Sequence, residues 1–280
     1  MLAKLRTTAL ACQIAMVQPF RQRRLRQLCL QGAAPIFVLF YHRVADRNLN
    51  AWSISTKKFL QHLDMLQNGF ELIDLAEVQR RVRYGDSNRP GVHVTFDDGY
   101  SENCDVAIPE LIRRKIPCTY FVTLHNIVSG ESFEHDRRRG LPIQPNTLEQ
   151  IRWMASQGIE IGAHTRNHRD LGQAPLSDIN DEIINSTVEL AQLIARPIRY
   201  FAFPYGMPAN MPAPAIADVI ASGMKGFCSA FGGYNLPGRD WFHIRRIHGD
   251  PELPRLKNWL SFDTRKLRLE PTLSYSLPSV

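Results

Sequence analysis

Continuous apolar runs alternate with amphipathic segments along most of this chain. Ile36-Phe37-Val38-Leu39-Phe40-Tyr41 is apolar throughout, follows Pro35 and stops at His42-Arg43. A run without polar alternation suits a strand covered on both faces, as in a parallel sheet. Ser55 or Thr56 can cap a helix reaching Asn68, with Phe59, Leu60, Leu63 and Leu66 on one face and Gly69 as its stop. Phe70 to Ile73 predicts a short strand; Asp74 then caps a helix, with Glu77 in the reciprocal capping position. Val92 to Phe96, Cys118 to Val122, Ile159 to Ala163, Tyr200 to Phe203, Gly226 to Ala230 and Phe242 to Ile247 read as further strands. Helices are expected between them: Ala107 to Lys115, Thr147 to Gly158 with a Thr147–Gln150 capping box, one from Ser177, and Ala215 to Ser222. Asn126 to Asn146 reads as a long charged loop, a length more usual for a lid or binding insertion than for a plain connector. Strands and helices thus alternate with no repeat and no linker, which predicts a parallel sheet closed into an irregular barrel. An open doubly wound sheet is the alternative.

Polar residues gather where these strands end, the edge that carries the site in parallel α/β folds. The strand Val92 to Phe96 runs into Asp97-Asp98-Gly99-Tyr100. Neighbouring side chains on an extended chain point in different directions, so one carboxylate can bind a metal while the other handles a proton. Asp-Gly is also a common turn dipeptide, and by itself the stretch is an ordinary turn. The strand Ile159 to Ala163 runs into His164-Thr165-Arg166-Asn167-His168. These histidines follow a strand, so a loop must fold them together. Thr165 stands where a zinc-protease helix carries glutamate, which argues against a protease. Beside Asp97-Asp98 they make a two-histidine, one-carboxylate site with positions left open for water and substrate.

Composition narrows the picture. The 280 residues carry a formal net charge of +7, but the runs Arg113-Arg114-Lys115 and Arg137-Arg138-Arg139 read as solvated faces. No nucleic-acid motif accompanies them, so no nucleic-acid partner is expected. The five cysteines (Cys12, Cys29, Cys104, Cys118 and Cys228) form no CxxC pair, which argues against a disulfide framework or a cysteine zinc site. A reducing, cytoplasmic location is the expectation, with export or membrane association as the alternative. Thr8 to Phe20 is mildly apolar and too short to span a bilayer. Arg21, Arg23, Arg24 and Arg26 with Leu25 and Leu28 form a basic amphipathic segment. It can make peripheral contact with an anionic membrane or pack on the domain as a solvated helix. The expected organisation is a basic leader (1–34), a catalytic domain (35–260) and a tail (261–280).

Thr95-Phe96-Asp97-Asp98-Gly99-Tyr100 and His164-Thr165-Arg166-Asn167-His168 resemble the first two motifs of the polysaccharide deacetylases, the NodB-homology group of carbohydrate esterases (family 4). Phe201-Ala202-Phe203-Pro204-Tyr205-Gly206 is similar to the third, and the likeness runs from about Pro35 to Ile247. Tyr41-His42-Arg43-Val44 resembles the opening of the subgroup that includes exopolysaccharide enzymes. The resemblance implies a distorted (β/α) barrel, here of about seven parallel strands. It implies a divalent metal, usually zinc, and hydrolysis of N-acetyl, less often O-acetyl, groups on an amino-sugar polysaccharide. By position, Asp98, His164 and His168 would hold the metal, Asp97 would be the base, and the Tyr205 amide would donate to the oxyanion.

Two departures stand out. Ala202 occupies the position of the family's base-orienting arginine, and Arg246 is the candidate replacement, with Arg245 pointing the other way. The family's late leucine-x-histidine motif has no clean match; His42 is the expected acid and His248 the competitor. Tyr205 and Trp241 are expected sugar-stacking surfaces. The rival functions are an amidase acting on a small non-sugar amide and a non-catalytic carbohydrate-binding relative.

Overall fold

The structure, a computed structural model, describes residues 2–276. Met1 and residues 277–280 of the expected tail lie outside the described residues. Eight parallel strands form the central sheet: β1 (Ile36–Tyr41), β2 (Gly91–Phe96), β3 (Cys118–Val122), β4 (Glu160–Ala163), β5 (Tyr200–Ala202), β6 (Gly226–Cys228), β7 (His243–Ile244) and β8 (Arg246–His248). Their order is β7-β6-β5-β4-β3-β2-β1-β8, with the two-residue strand Glu71–Leu72 added beside β2. β7 and β8 are successive segments separated only by Arg245, so the two ends of the sheet meet and the barrel nearly closes. The expected single last strand, Phe242 to Ile247, is thus broken. The Arg245 amide leaves the ladder for Asn235 Oδ1 at 2.9 Å, which raises the strand count to eight.

Two apolar layers follow from the alternation of side chains along each strand. Phe37, Leu39, Val92, Val94, Phe96 and Phe201 face outward onto the helices. Ile36, Val38, Phe121, Tyr200, Ala202, Cys228 and Ile244 fill the interior with the helix Leu75–Tyr84, which closes the N-terminal end of the barrel. Gln79 of that helix donates to the carbonyls of Lys225 and Trp241 and accepts from the Tyr200 hydroxyl. Ser55 and Asp74 cap their helices as expected, and Thr147 and Gln150 form the full capping box. The Asp74 box is only half formed, because the Glu77 carboxylate turns to Arg80 and Arg81 instead. The expected loop Asn126 to Asn146 is partly helical, at Leu124–Ser129 and Glu134–Arg137.

His93 points into the lower barrel and is fully satisfied, its ring nitrogens 2.8 Å from Ile73 O and 2.9 Å from Thr119 Oγ1. Burial pushes it down to about 4, against the backbone hydrogen bond that favours its charged form. The folded value lies below the unfolded one, so the unfolded chain takes up this proton first as pH falls. His93 therefore contributes stability that is intact above about pH 6.5 and lost towards pH 4, amounting to about 2.5 kcal/mol by pH 4.5. Urea unfolding of His93→Gln at pH 7 and pH 4.5 should show that much less acid destabilisation than the parent; equal losses would refute the assignment.

Residues 2–30 form one helix that docks on the C-terminal helix Leu253–Leu260. Arg21 reaches Asp263 at 2.6 Å and Asn258 at 2.8 Å, and Leu28 packs on the core.

Candidate functional site

β2 ends at Phe96, and the next two residues leave the sheet differently. The Asp97 amide still donates to Tyr41 O at 2.9 Å. Asp98 then adopts φ +73° and Gly99 φ +100°, and the Gly99 amide bonds back to Asp97 O at 2.9 Å. The two carboxylates diverge because of this left-handed turn, and not through strand alternation alone. Thr165, His168 and Tyr205 are also left-handed. Four of the strained non-glycine residues thus lie in the motifs singled out from the sequence, as expected where a site holds side chains against local preference.

Asp98, His164 and His168 converge, each offering one ligand atom within 4.8 Å of the others. Asp98 Oδ1 is 3.4 Å from His164 Nε2 and 3.1 Å from His168 Nε2. That oxygen is buried without a hydrogen-bond partner. Burial alone would raise the Asp98 carboxyl, but His168 and then His164 outweigh it and hold it well below the usual range. His164 Nδ1 lies 2.7 Å from Ala202 O. A carbonyl can only accept, so Nδ1 carries a proton here, which leaves Nε2 as the ring nitrogen facing the triangle and open to a cation. An orphaned carboxylate oxygen facing two imidazole nitrogens fits a divalent cation.

Glu182 makes the histidine loop possible. Its buried carboxylate accepts from Arg166 N (3.0 Å), Asn167 N (2.9 Å) and Asn167 Nδ2 (2.8 Å). It sits in the π-helical turn Asp181–Asn185, a local widening frequent at functional sites. The sequence offered no sign of this role, since Glu182 reads there as one polar residue on an amphipathic helix.

The barrel interior brings Arg246 to Asp97. Its two terminal nitrogens lie 2.6 and 2.8 Å from the two Asp97 oxygens, and its Nε donates to Ser229 O at 2.9 Å. Its guanidinium also lies 4.9 Å from the Phe40 ring centre. Burial pushes the Asp97 carboxyl up, but the Arg246 charge, followed by His164, brings it below its ordinary value, so Asp97 is ionised at neutral pH. Ala202 lies in the same interior layer. Arg245 turns the other way, to Glu270.

His42 and His248 leave neighbouring strands, since Phe40 of β1 pairs with His248 of β8. Both flank Trp52, with ring centres 4.7 and 5.9 Å from it. His42 Nδ1 is buried and unpartnered. Burial pushes His42 down to about 4 against the opposing charges of Asp98 and Asp97, and lowers His248 as well. Trp52 is another residue the sequence did not single out.

Tyr205 lies across the site, its exposed ring 5.5 Å from that of His168. Among the described residues no protein acceptor takes its amide N–H. Gly206 is required here: φ is +59°, and a Cβ would lie 2.6 Å from Ala230 N. Trp241 is not at the site, contrary to expectation. It lies two residues before the start of β7 and so enters the barrel at its N-terminal end, where Arg83 covers its ring at 4.9 Å.

The insertion after β3 forms one wall of the site. Tyr100 donates to Asp136 Oδ2 at 2.7 Å and accepts from His135 Nε2 at 2.9 Å, while Asn50 donates to Asp136 Oδ1 at 3.0 Å. Phe133, His135, Arg139, Asn167, His168 and Tyr205 line a cavity of ≈ 430 Å³. A cavity of ≈ 440 Å³ at the N-terminal end of the barrel holds none of the Asp98–His164–His168 donors.

Comparison with known proteins agrees with this geometry. Residues 84–224 match the family model described as polysaccharide deacetylase. YxkH of Bacillus subtilis (strain 168), a protein named as a polysaccharide deacetylase, is 25% identical over 177 residues, 62% of this chain. The chain spans 57% of the length of that relative. Among solved structures, IcaB from Ammonifex degensii superposes with a TM-score of 0.68 at 25% identity, covering 81% of this chain and 97% of IcaB. The Streptococcus pyogenes deacetylase PplD, in complex with acetate, superposes with a TM-score of 0.65 at 21% identity, covering 80% of this chain and 97% of PplD, and shares the fold. With a near-closed parallel barrel, an Asp-His-His triangle at the strand ends and a family match over half its length, this chain belongs to the polysaccharide deacetylase family.

Proposed function

We propose that this protein is a metal-dependent hydrolase that removes acetyl groups, mainly N-acetyl, from an amino-sugar polysaccharide of the exopolysaccharide type. The observation that carries this reading is the Asp98–His164–His168 triangle beside Asp97, both of whose oxygens are held by Arg246. The polymer class is supported by the resemblance of Tyr41-His42-Arg43-Val44 to the opening of the exopolysaccharide subgroup.

A divalent metal, zinc foremost, held by Asp98, His164 and His168 would polarise the acetyl carbonyl and acidify a water molecule. Asp97, held at both oxygens by Arg246, accepts the proton from the attacking water. The free Tyr205 amide donates to the oxyanion as the carbonyl becomes tetrahedral. The tetrahedral centre collapses by breaking its C–N bond, and the amine nitrogen takes up a proton. His42 delivers that proton, with Trp52 packed against its ring. His42 is neutral at rest, so it must be charged during turnover by the proton that Asp97 collects.

Acetate release from N-acetylated chito-oligosaccharides, measured with and without zinc and against a panel of small linear and cyclic amides, tests the function. Release from the small amides alone would favour the amidase; bound metal with no release from any glycan would favour a carbohydrate-binding protein. The acid is tested separately. His42→Ala should lower kcat on the order of 10²- to 10⁴-fold, and His248→Ala far less. A large loss confined to His248→Ala would transfer the role.

A further inference from the structure

The N-terminal helix carries a surface that the catalytic site does not use. Residues 1–30 hold six cationic side chains and no acidic one, against a net charge of +7 for all 280 residues. The first acidic residue is Asp46. Nearly the whole charge excess therefore sits on one helix, Leu2–Leu30, while the rest of the chain is close to balanced. Such asymmetry points to a partner recognised by that end of the molecule.

The helix has two faces over Ala15 to Leu30. Arg21 and Leu28 turn inward, Arg21 to Asp263 and Leu28 to the core. On the outer face Met16, Phe20 and Leu30 are 70%, 78% and 88% exposed. Their spacing, with Arg23 and Gln27 between them, places them on one stripe. Arg23, Arg24 and Arg26 are exposed and, among the described residues, form no ion pair. The stripe is about 20 Å long, with apolar side chains along it and guanidinium groups at its centre and sides.

We propose that this face seats the protein on an anionic lipid surface. Arginines at the margins would meet headgroup phosphates while Met16, Phe20 and Leu30 enter the acyl boundary. The exposed apolar residues favour lipid over nucleic acid, because a polyphosphate backbone attracts the arginines equally but gives Phe20 and Met16 nothing to enter. The helix stays docked through Arg21 and Asp263, so it lies on the bilayer. This agrees with the finding that no described helix is long and apolar enough to cross one. The inference stands independently of the catalytic reading.

Co-sedimentation of the full chain with phosphatidylcholine vesicles, with and without phosphatidylglycerol, tests it. Binding is expected on the anionic vesicles only and should weaken with salt. Arg23→Gln/Arg24→Gln/Arg26→Gln should reduce binding roughly a hundredfold, and Met16→Ser/Phe20→Ser at least about tenfold. Both variants should unfold within about 2 °C of the parent, since the replaced side chains are exposed. Equal binding to neutral vesicles, or variants that bind like the parent, would overturn the proposal. So would binding of a short DNA duplex that needs the arginines but not Met16 and Phe20, with vesicles left in the supernatant.

Discussion

Arg246→Met should lower kcat by a factor on the order of 10² to 10⁴ and destabilise the fold by about 3–5 kcal/mol. Both effects have one cause. Arg246 and Asp97 are buried together, each satisfying the other through two hydrogen bonds. Removing the guanidinium leaves a carboxylate in the barrel without its main compensating charge. Its pKa then rises, because burial is the largest influence on Asp97 and Arg246 the foremost opposing one. Asp97 then takes up its proton at a higher pH than in the parent, so the acid limb of the kcat–pH profile should move upward. Asp97→Asn should abolish turnover while leaving the arginine buried and half satisfied. The double variant Asp97→Asn/Arg246→Met should recover most of the stability lost in Arg246→Met and none of the activity, since a neutral pair carries no buried charge. Full kcat in metal-loaded Arg246→Met would refute the positioning role; equal loss of stability in the single and double variants would refute the charge argument.

Asp98→Asn should weaken zinc binding by roughly a hundredfold or more, because even partners one shell further out contribute 10- to 100-fold. Zinc at a hundred times the parent's Kd should stabilise the parent by about 2.7 kcal/mol, and the variant by no more than about 0.4 kcal/mol at the same concentration. The measurement is thermal unfolding with and without zinc, paired with metal content after gel filtration. It reads the site without any assay of activity. An Asp98→Asn variant that retains one zinc per chain would place the metal elsewhere.

Much of the site was legible along the chain, because several of its pieces are local. Asp97 and Asp98 are adjacent, and His164 and His168 lie in one five-residue loop, so motif and strand context name them before any contact is known. The alternation of buried strands with amphipathic helices likewise specifies a parallel barrel, since only that arrangement covers both faces of runs such as Ile36 to Tyr41. The family match is carried by the same stretches. Other parts were set by packing. Ala202 leaves the barrel interior without the arginine expected from β5, and Arg246 fills that layer from β8, a strand that meets β1 only when the sheet comes round. Glu182 shapes the histidine loop from a helix 14 residues beyond it. Trp52 reaches His42 and His248 from a loop that precedes the first amphipathic helix. Trp241, equally aromatic in sequence, falls at the opposite end of the barrel because of where it precedes its strand. Local chemistry and periodicity are written in residue order and determine the fold class and the two motifs that supply Asp98, His164 and His168. Which distant side chain holds Asp97, shapes a loop or lines the cavity is decided by tertiary packing, and barrel closure places residues about 150 apart in sequence within 3 Å.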